Sequence, residues 1–342
     1  MLCYFAPMEG ITGCRYRRTH CACFPGADKY FMPFVSPRQD HTFTRRELAG
    51  LLPEHNRGVP VVPQLLTRNP EDFLWAAGEL AAMGYREVNL NLGCPSGTVV
   101  AKGKGAGLLG RPQELERFLD RVFAAAPVAV SVKTRLGLTE PEEFGPLLEL
   151  YRRYPMAELI IHPRVRKEFY KGRPRLEAFA PAVEACPFPV CYNGDLVTTG
   201  DVAALAARFP GVRAVMAGRG AAADPALFRK LKGGPAAERA ELQSFHDRLY
   251  EGCCRDFDGR RSAMLRMKEL WSYHMGLFRG GERLAKALRK ARDPAEYEAV
   301  TAEIFRTLPL ETDAVEIWRG GEGAGAAAGT AGRWMPEQKP GS

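Results

Sequence analysis

Short apolar runs rich in β-branched residues recur along the chain, separated by stretches with helical spacing. Eight runs stand out: Leu2 to Ala6, Tyr30 to Val35, Val61 to Leu66, Glu87 to Leu92, Val128 to Lys133, Leu159 to His162, Val190 to Asn193 and Val212 to Ala217. Between them, segments such as Pro70 to Met83, Pro112 to Ala125 and Glu142 to Tyr154 place apolar residues three and four apart, which gives a helix one buried face. Strands that alternate with helices pair in parallel, because each helix carries the chain back before the next strand begins. Eight such units predict an α/β fold, a parallel (β/α)8 barrel. An open doubly wound sheet is disfavoured by the first turn, Pro7-Met8-Glu9-Gly10, which holds no Gly-x-Gly-x-x-Gly. The strand pattern stops after Phe228. The expected division is therefore a barrel over 1–234, a smaller all-helical domain over 235–318, and a Gly/Ala/Pro-rich, disordered tail over 319–342.

Composition narrows the class. Hydrophobic residues make up 46% and charged residues 26% of 342, the balance of a globular protein. The start lacks a basic segment followed by a long apolar one, and no run of about 18 apolar residues occurs, so a cytoplasmic protein with no membrane partner is expected. A net charge of +8 favours polyanionic partners. The nine cysteines are odd in number and lack zinc-site spacing, which predicts reduced thiols and no metal site. Nothing marks a protein partner.

In a barrel of this kind, chemistry sits at the C-terminal ends of the strands. Here nearly every strand ends in unusual residues: Pro7-Met8, Gln64, Asn91-Leu-Gly-Cys94-Pro, Lys133-Thr-Arg135, His162-Pro-Arg164, Asn193-Gly194-Asp195 and Gly218-Arg219-Gly220. Any one of these is more often a satisfied structural residue than a functional one, but seven aligned ends converge on one mouth. Gly218-Arg219-Gly220, ahead of a helix expected to begin at Asp224-Pro225, suits a phosphate: small residues admit it and a guanidinium pairs with it. Lys133 places a cation in a partly dry cavity, where it suits an anionic ring edge. Gln64 and Asn193 carry amides able to read a pyrimidine edge, and His162 offers a ring donor. Cys94, on a loop shaped by Gly and Pro and mostly protonated at neutral pH, suits an acid better than a nucleophile. The glycine-rich continuation, Lys102 to Leu109, has no Gly-x-x-x-x-Gly-Lys-Ser/Thr and reads as a loop that closes over substrate.

Taken together, Ala-Pro-Met-Glu-Gly at 6–10, Pro-Gln-Leu at 63–65, Asn-Leu-Gly-Cys-Pro at 91–95, Val-Lys-Thr-Arg at 132–135, Ile161-His162, Asn193-Gly194-Asp195 and Met-Ala-Gly-Arg-Gly at 216–220 resemble the tRNA-dihydrouridine synthases. The resemblance runs from Ala6 to about Phe305. It implies FMN across the barrel mouth, contacted by Pro7, Met8, Glu9, Gln64, Lys133, His162, Asn193, Gly194, Asp195, Gly218 and Arg219. It also implies NADPH as reductant of the flavin, a uridine of tRNA flipped into the pocket, hydride transfer to C6, and Cys94 protonating C5. Asn91, Arg135, Arg164, Arg266 and Lys268 are the expected substrate contacts, and the helical domain, with Arg and Lys interleaved among Trp271, Tyr273, His274 and Phe278, is expected to bind tRNA.

Two departures stand out. Pro163-Arg164-Val165 replaces the family's Gly-Arg-Thr after His162, which stiffens that loop. The region 18–58 is rich in Pro, His and Arg and matches no motif. Two other readings compete: a flavin barrel acting on a free pyrimidine, as dihydroorotate-type dehydrogenases do, and a catalytically silent RNA-binding barrel. The clustered cations after residue 260 disfavour the first, since a small metabolite has no use for them. The joint presence of Cys94, Lys133 and Arg219 disfavours the second.

Overall fold

The computed structural model describes residues 1–257 and 259–314. The expected tail, 319–342, lies outside the described residues.

Nine strands form one all-parallel sheet: β1 (Leu2–Phe5), β2 (Lys29–Phe31), β3 (Val61–Val62), β4 (Gln64–Leu65), β5 (Glu87–Leu92), β6 (Ala129–Arg135), β7 (Leu159–His162), β8 (Val190–Asn193) and β9 (Ala214–Ala217). Their order around the sheet is β3-β2-β1-β9-β8-β7-β6-β5-β4, so it begins at β3 and ends at β4. These two are consecutive in the chain and are parted only by Pro63. The predicted third strand is thus one pass split in two, because proline has no N–H to give to a ladder. Its carbonyl still accepts from Asn89 at 2.8 Å, and Leu66 N–H still donates to Val35 at 2.8 Å, so the pass pairs on both sides and the barrel closes with eight passes. β6 runs two residues past the expected end at Lys133, to Arg135.

Side chains alternate along a strand between the barrel interior and the layer of helices outside. The inner core identifies the parity. Tyr4, Ala6, Phe31, Val62, Ile160, Cys191, Ala214 and Met216 form a small buried cluster of their own, separate from the larger one between strands and helices. In steps of two from these residues, Gln64, His162, Asn193 and Gly218 also fall on the inner face. So do Asn91, Lys133 and Arg135, which share a parity with Asn89 and Ser131, side chains that bond to one another across β5 and β6 at 2.9 Å. The strand-end residues singled out in the sequence therefore point to one mouth.

The opposite end of the barrel is polar too. Lys29, on the inner face of β2, reaches Glu87 at 2.7 Å and Glu158 at 3.6 Å, and Tyr4 donates its hydroxyl to Glu158 at 3.0 Å. Burial outweighs these partners and raises the Glu158 carboxyl to about 7.

Beyond the last strand, helices Arg239–Asp256, Arg260–His274, Glu282–Lys290 and Pro294–Thr307 pack around Trp271, Phe278, Tyr297 and Phe305, all buried. Helix Arg239–Asp256 also lies against the first helix, Cys14–Cys23, where Arg15 grips Asp256 with two hydrogen bonds of 2.9 and 2.6 Å.

Because Glu158 titrates near 7 in the fold but near 4.5 when exposed, its ionisation costs stability progressively as pH rises through that window and nothing below it. Glu158→Gln, which avoids the cost, should gain stability relative to the parent between pH 5 and pH 8, up to about 3 kcal/mol. Thermal melts across that range check this; a difference that does not change with pH refutes it.

Candidate active site

The mouth is assembled from three hydrogen-bonded groups of side chains. The first shapes the thiol loop. Asn91 Oδ1 accepts from the backbone N–H of Gly93 at 3.0 Å and of Cys94 at 2.9 Å, while its amide donates to Gln64 Oε1 at 2.8 Å. Gln64 in turn donates to Asn89 at 2.8 Å. Arg135 completes the turn with a 2.8 Å bond from Nε to the carbonyl of Gly93. Gly105, at φ +56°, packs where an added Cβ would lie 3.0 Å from Cys94 Cβ, and Ala106 N–H donates to the Cys94 carbonyl at 3.1 Å. Cys94 is consequently held from both sides and half-buried. Desolvation raises its pKa above that of an ordinary thiol, against the pull of Arg135 and Lys133, so it is a protonated thiol at neutral pH.

The second group lies across the mouth. Arg164, fully buried, grips both carboxylate oxygens of Asp195, donates to His162 Nε2 at 2.9 Å and holds the carbonyls of Lys171 and Gly172. Arg219 reaches the same Asp195 carboxylate at 2.6 Å. A guanidinium has no acceptor, so His162 accepts at Nε2 and carries its proton on Nδ1. Burial and then the charges of Arg135, Lys133, Arg164 and Arg219 push its pKa well below the ordinary imidazole value, so the ring stays neutral. Asn193 donates its amide to the Met216 carbonyl at 2.8 Å. An added Cβ on Gly194 would meet Pro174 and the Tyr192 hydroxyl at 3.1 Å, and one on Gly218 would meet Ala6 and Met8 at 3.2 and 3.3 Å.

The third feature is Lys133. It stands on β6 between these groups, opposite Asn91 on one side and Ile160 on the other. Its ammonium makes no hydrogen bond or ion pair among the described residues. Burial, then the neighbouring Arg135, lowers its pKa to about 8. Lys133, Arg135, Arg164 and Arg219 thus all lie near enough to His162 for their charges to act on it, with the half-buried carboxylate of Asp195 among them, and the mouth is short of negative charge.

The rim comes from the ends of β1 and from the helical segment. Gly10, at φ +81°, turns the chain after Glu9, which is exposed and loosely paired with Arg46 at 3.8 Å. Arg266 donates to the Gly10 carbonyl and pairs with Glu269 at 2.8 Å, which fastens helix Arg260–His274 to the Pro7-Met8-Glu9 loop. Tyr273 on the same helix lies close enough to Arg219 and Tyr170 for their charges to act on it.

Several expectations are revised. The helix after β9 starts at Arg219, with Gly218 as its cap, and Asp224 instead hydrogen-bonds the N–H of Ala226 ahead of helix Leu227–Leu231. Gly220 is glycine for packing: a Cβ there would lie 2.0 Å from the Leu196 carbonyl. Lys268 donates to the carbonyls of Arg289 and Ala291 at 2.8 and 2.9 Å, which caps helix Glu282–Lys290. Arg164 has no exposed surface, and the side chains of Asn91 and Arg135 are engaged in shaping the Cys94 loop. Trp271, His274 and Phe278 are core residues, and Arg260, Arg279 and Arg283 are paired with Glu298, Glu311 and Glu303.

Tyr170 belongs to none of the sequence motifs. It is half exposed, stacks on His162 at 6.0 Å between centroids, and receives the guanidinium carbons of Arg135 and Arg219 at 5.3 and 5.2 Å. An aromatic pair, Phe169-Tyr170, set among Arg and Lys in a short loop after β7 was the available signal.

A parallel barrel with a protonated thiol and a cation-rich mouth is an arrangement suited to a barrel enzyme with an anionic ligand. The family profile for dihydrouridine synthases matches residues 4–304. A probable tRNA-dihydrouridine synthase of Staphylococcus aureus is 30% identical over 307 residues, 87% of this chain and 91% of that one. Probable tRNA-dihydrouridine synthase 1 of Synechocystis sp. is 30% identical over 66% of this chain and 63% of its own length. Among solved structures, histamine dehydrogenase from Rhizobium sp. 4-9 aligns with a TM-score of 0.52 at 12% identity, over 71% of this chain and 46% of that one, a likeness of fold alone. The chain belongs to the dihydrouridine synthase family, flavin-dependent oxidoreductases that reduce uridine in tRNA.

Replacing Asn91 with Ala frees two backbone N–H groups and unseats the thiol. Uridine reduction should fall by about tenfold or more with the fold intact, since small displacements of a catalytic group are costly. Steady-state turnover and a thermal melt check this; turnover within twofold of the parent contradicts the assigned role.

Proposed function

We propose that this protein reduces uridine to 5,6-dihydrouridine in tRNA with FMN as cofactor, NADPH as reductant and Cys94 as the proton donor. The observation that carries the reading is the unpaired Lys133 ammonium in a cavity whose cations outnumber its carboxylates, facing a protonated thiol. The donor set fits the cofactor: Lys133 suits the anionic pyrimidine edge of a reduced flavin, while Arg219 and the backbone from Asn193 to Asp195 and at Gly218 suit a phosphate. Pro7, Met8, Glu9 and Gln64 would border the ring, and His162 offers its Nδ1–H. When bound, FMN supplies the two-electron reduction at C6 of the uracil.

The chain's own residues do the rest. Arg164 and Arg135 act as positioning residues: one fixes Asp195 and the His162 tautomer, the other fixes the Gly93 carbonyl and so the thiol. Arg266 holds the loop after β1 against the helical segment, which carries the expected contacts to tRNA. The Cys94 thiol holds the proton that C5 requires, and its raised pKa keeps that proton in place through the neutral range. No helix among the described residues is long and apolar enough to cross a membrane, and a tRNA substrate suits work in the cytoplasm. The domain division remains part of this proposal, with residues 1–234 holding flavin and 235–318 engaging tRNA.

The experiment is to supply purified protein, FMN and NADPH with unmodified tRNA, free uracil or orotate. Dihydrouridine in tRNA supports the proposal; turnover confined to the free bases replaces it with a pyrimidine dehydrogenase. Cys94→Ala should keep flavin reduction by NADPH and lose about 10²- to 10⁴-fold of uridine reduction, the usual worth of a placed acid. Unchanged turnover would assign the proton elsewhere. An anion beside Lys133 restores its charge, so flavin affinity should hold below pH 8 and weaken as pH rises above about 8. Affinity that is flat from pH 7 to 10 removes Lys133 from cofactor binding.

A further inference from the structure

A cavity also opens at the barrel rim, outside the ends of β2 and β4, lined in part by the region 18–58 that matched no motif. It encloses about 610 Å³ and is lined by Ser36, Arg38, Arg68, Asn69, Asp72 and Lys104, among others. The cations that line it are poorly matched by close carboxylate partners. The Lys104 ammonium donates to the Ser36 hydroxyl at 2.9 Å and pairs with no carboxylate among the described residues. Arg38 is exposed and makes no ion pair among the described residues. Arg68 meets Glu114 at 3.2 Å, but that carboxylate is shared with Arg111 at 3.1 Å. Two acids also face the cavity. Asp72 sits in the first turn of helix Pro70–Ala82, 3.8 Å from His41, and Asp40 accepts from the Thr42 hydroxyl at 2.7 Å. The lining cations still outnumber them, and burial lowers the Lys104 pKa against the pull of Asp72, with Lys102 and Arg68 adding to the lowering.

Position points to the occupant. Lys104 stands in the segment that packs on Cys94, one residue before Gly105 and two before Ala106, the residues in contact with the thiol loop. Around the closed barrel, the pass holding β3 and β4 lies opposite β8, the strand that leads to Asp195 and its two arginines. The mouth therefore has a cationic site on each side, one at Asp195 and one next to the thiol. A base that reaches Cys94 from an RNA chain brings its flanking phosphates to the thiol side of the mouth.

We propose that the cavity formed by Arg38, Arg68, Lys104 and Ser36 binds a backbone phosphate of the RNA next to the uridine being reduced. The proposal rests on the tRNA reading above. A phosphate there replaces the missing carboxylate for Lys104 and Arg38 and fixes how far the flipped base extends toward Cys94.

The test uses full-length flavin-loaded protein and an unmodified tRNA transcript. Arg38→Ala and Lys104→Gln are compared with the parent for tRNA affinity at several salt concentrations and for flavin reduction by NADPH. Each variant should weaken tRNA binding about three- to tenfold and reduce the slope of log K against log[salt] by about 1, the share of a single phosphate. Flavin content and its reduction by NADPH should not change. Unchanged tRNA affinity and slope in both variants, with the parent forming dihydrouridine, overturn the subsite alone. A raised KM for NADPH with normal tRNA binding also overturns it and gives the cavity to the dinucleotide. A parent that makes no dihydrouridine overturns the function and the subsite with it. Arg38 is exposed, so its variant tests the idea even if Lys104→Gln disturbs the loop.

Discussion

Closure of parallel strands decides what this molecule can do. When eight passes close into a barrel, every second side chain turns inward, and residues far apart in sequence at the strand ends have nowhere to point but a common mouth. Asn91, Lys133, Arg135, His162, Asn193 and Gly218 come from five strands, and their shared parity brings them together. The cost of that convergence is electrostatic. Several cations enter a partly dry space with Asp195 to balance them, and Lys133 is left without a hydrogen-bonding or ion-pair partner among the described residues. A cavity in that condition favours an anionic ligand, whose attraction to each cation offsets their mutual repulsion.

The two ends of the barrel handle buried charge differently. At the end opposite the mouth, Lys29 sits between Glu87 and Glu158 and pairs with both beside Tyr4, yet burial still holds the Glu158 carboxyl up at about 7. At the open end, the side chains that can be satisfied are spent on geometry. Asn91 and Arg135 shape the loop that carries Cys94, and Arg164 fixes Asp195 and His162. What remains unspent, the Lys133 ammonium and the Cys94 thiol, is where a ligand and a proton transfer fit. The helical segment contributes a wall through Arg266, Glu269 and Tyr273, and is mechanically tied to the loop after β1.

Much of this was legible in the sequence. The β-branched runs located the eight passes, because a strand buried on both faces needs an almost unbroken apolar stretch. The strand-end residues were legible because polar groups there break that pattern. What stayed hidden depended on partners distant in sequence. That Asn91 bonds Gln64, that Arg164 is wholly enclosed, and that Lys268 caps a neighbouring helix follow from packing between elements, which no local pattern records. Pro63 was visible, but the pass it splits still reads as one hydrophobic run. The helix at Arg219 begins earlier than the Asp-Pro pair suggested, because Gly220 lets the chain turn against the Leu196 carbonyl. Tyr170 was passed over because an exposed aromatic in a loop has no periodicity to mark it.

Uncompensated positive charge in the barrel mouth should select a phosphorylated flavin over an uncharged one. Equilibrium titration of flavin-stripped protein with FMN and with riboflavin, at low and high salt, tests it most directly. FMN should bind at least about a hundredfold more tightly, the scale of two charge-assisted contacts, and salt should narrow the gap. Equal affinity for the two flavins, unaffected by salt, would contradict it.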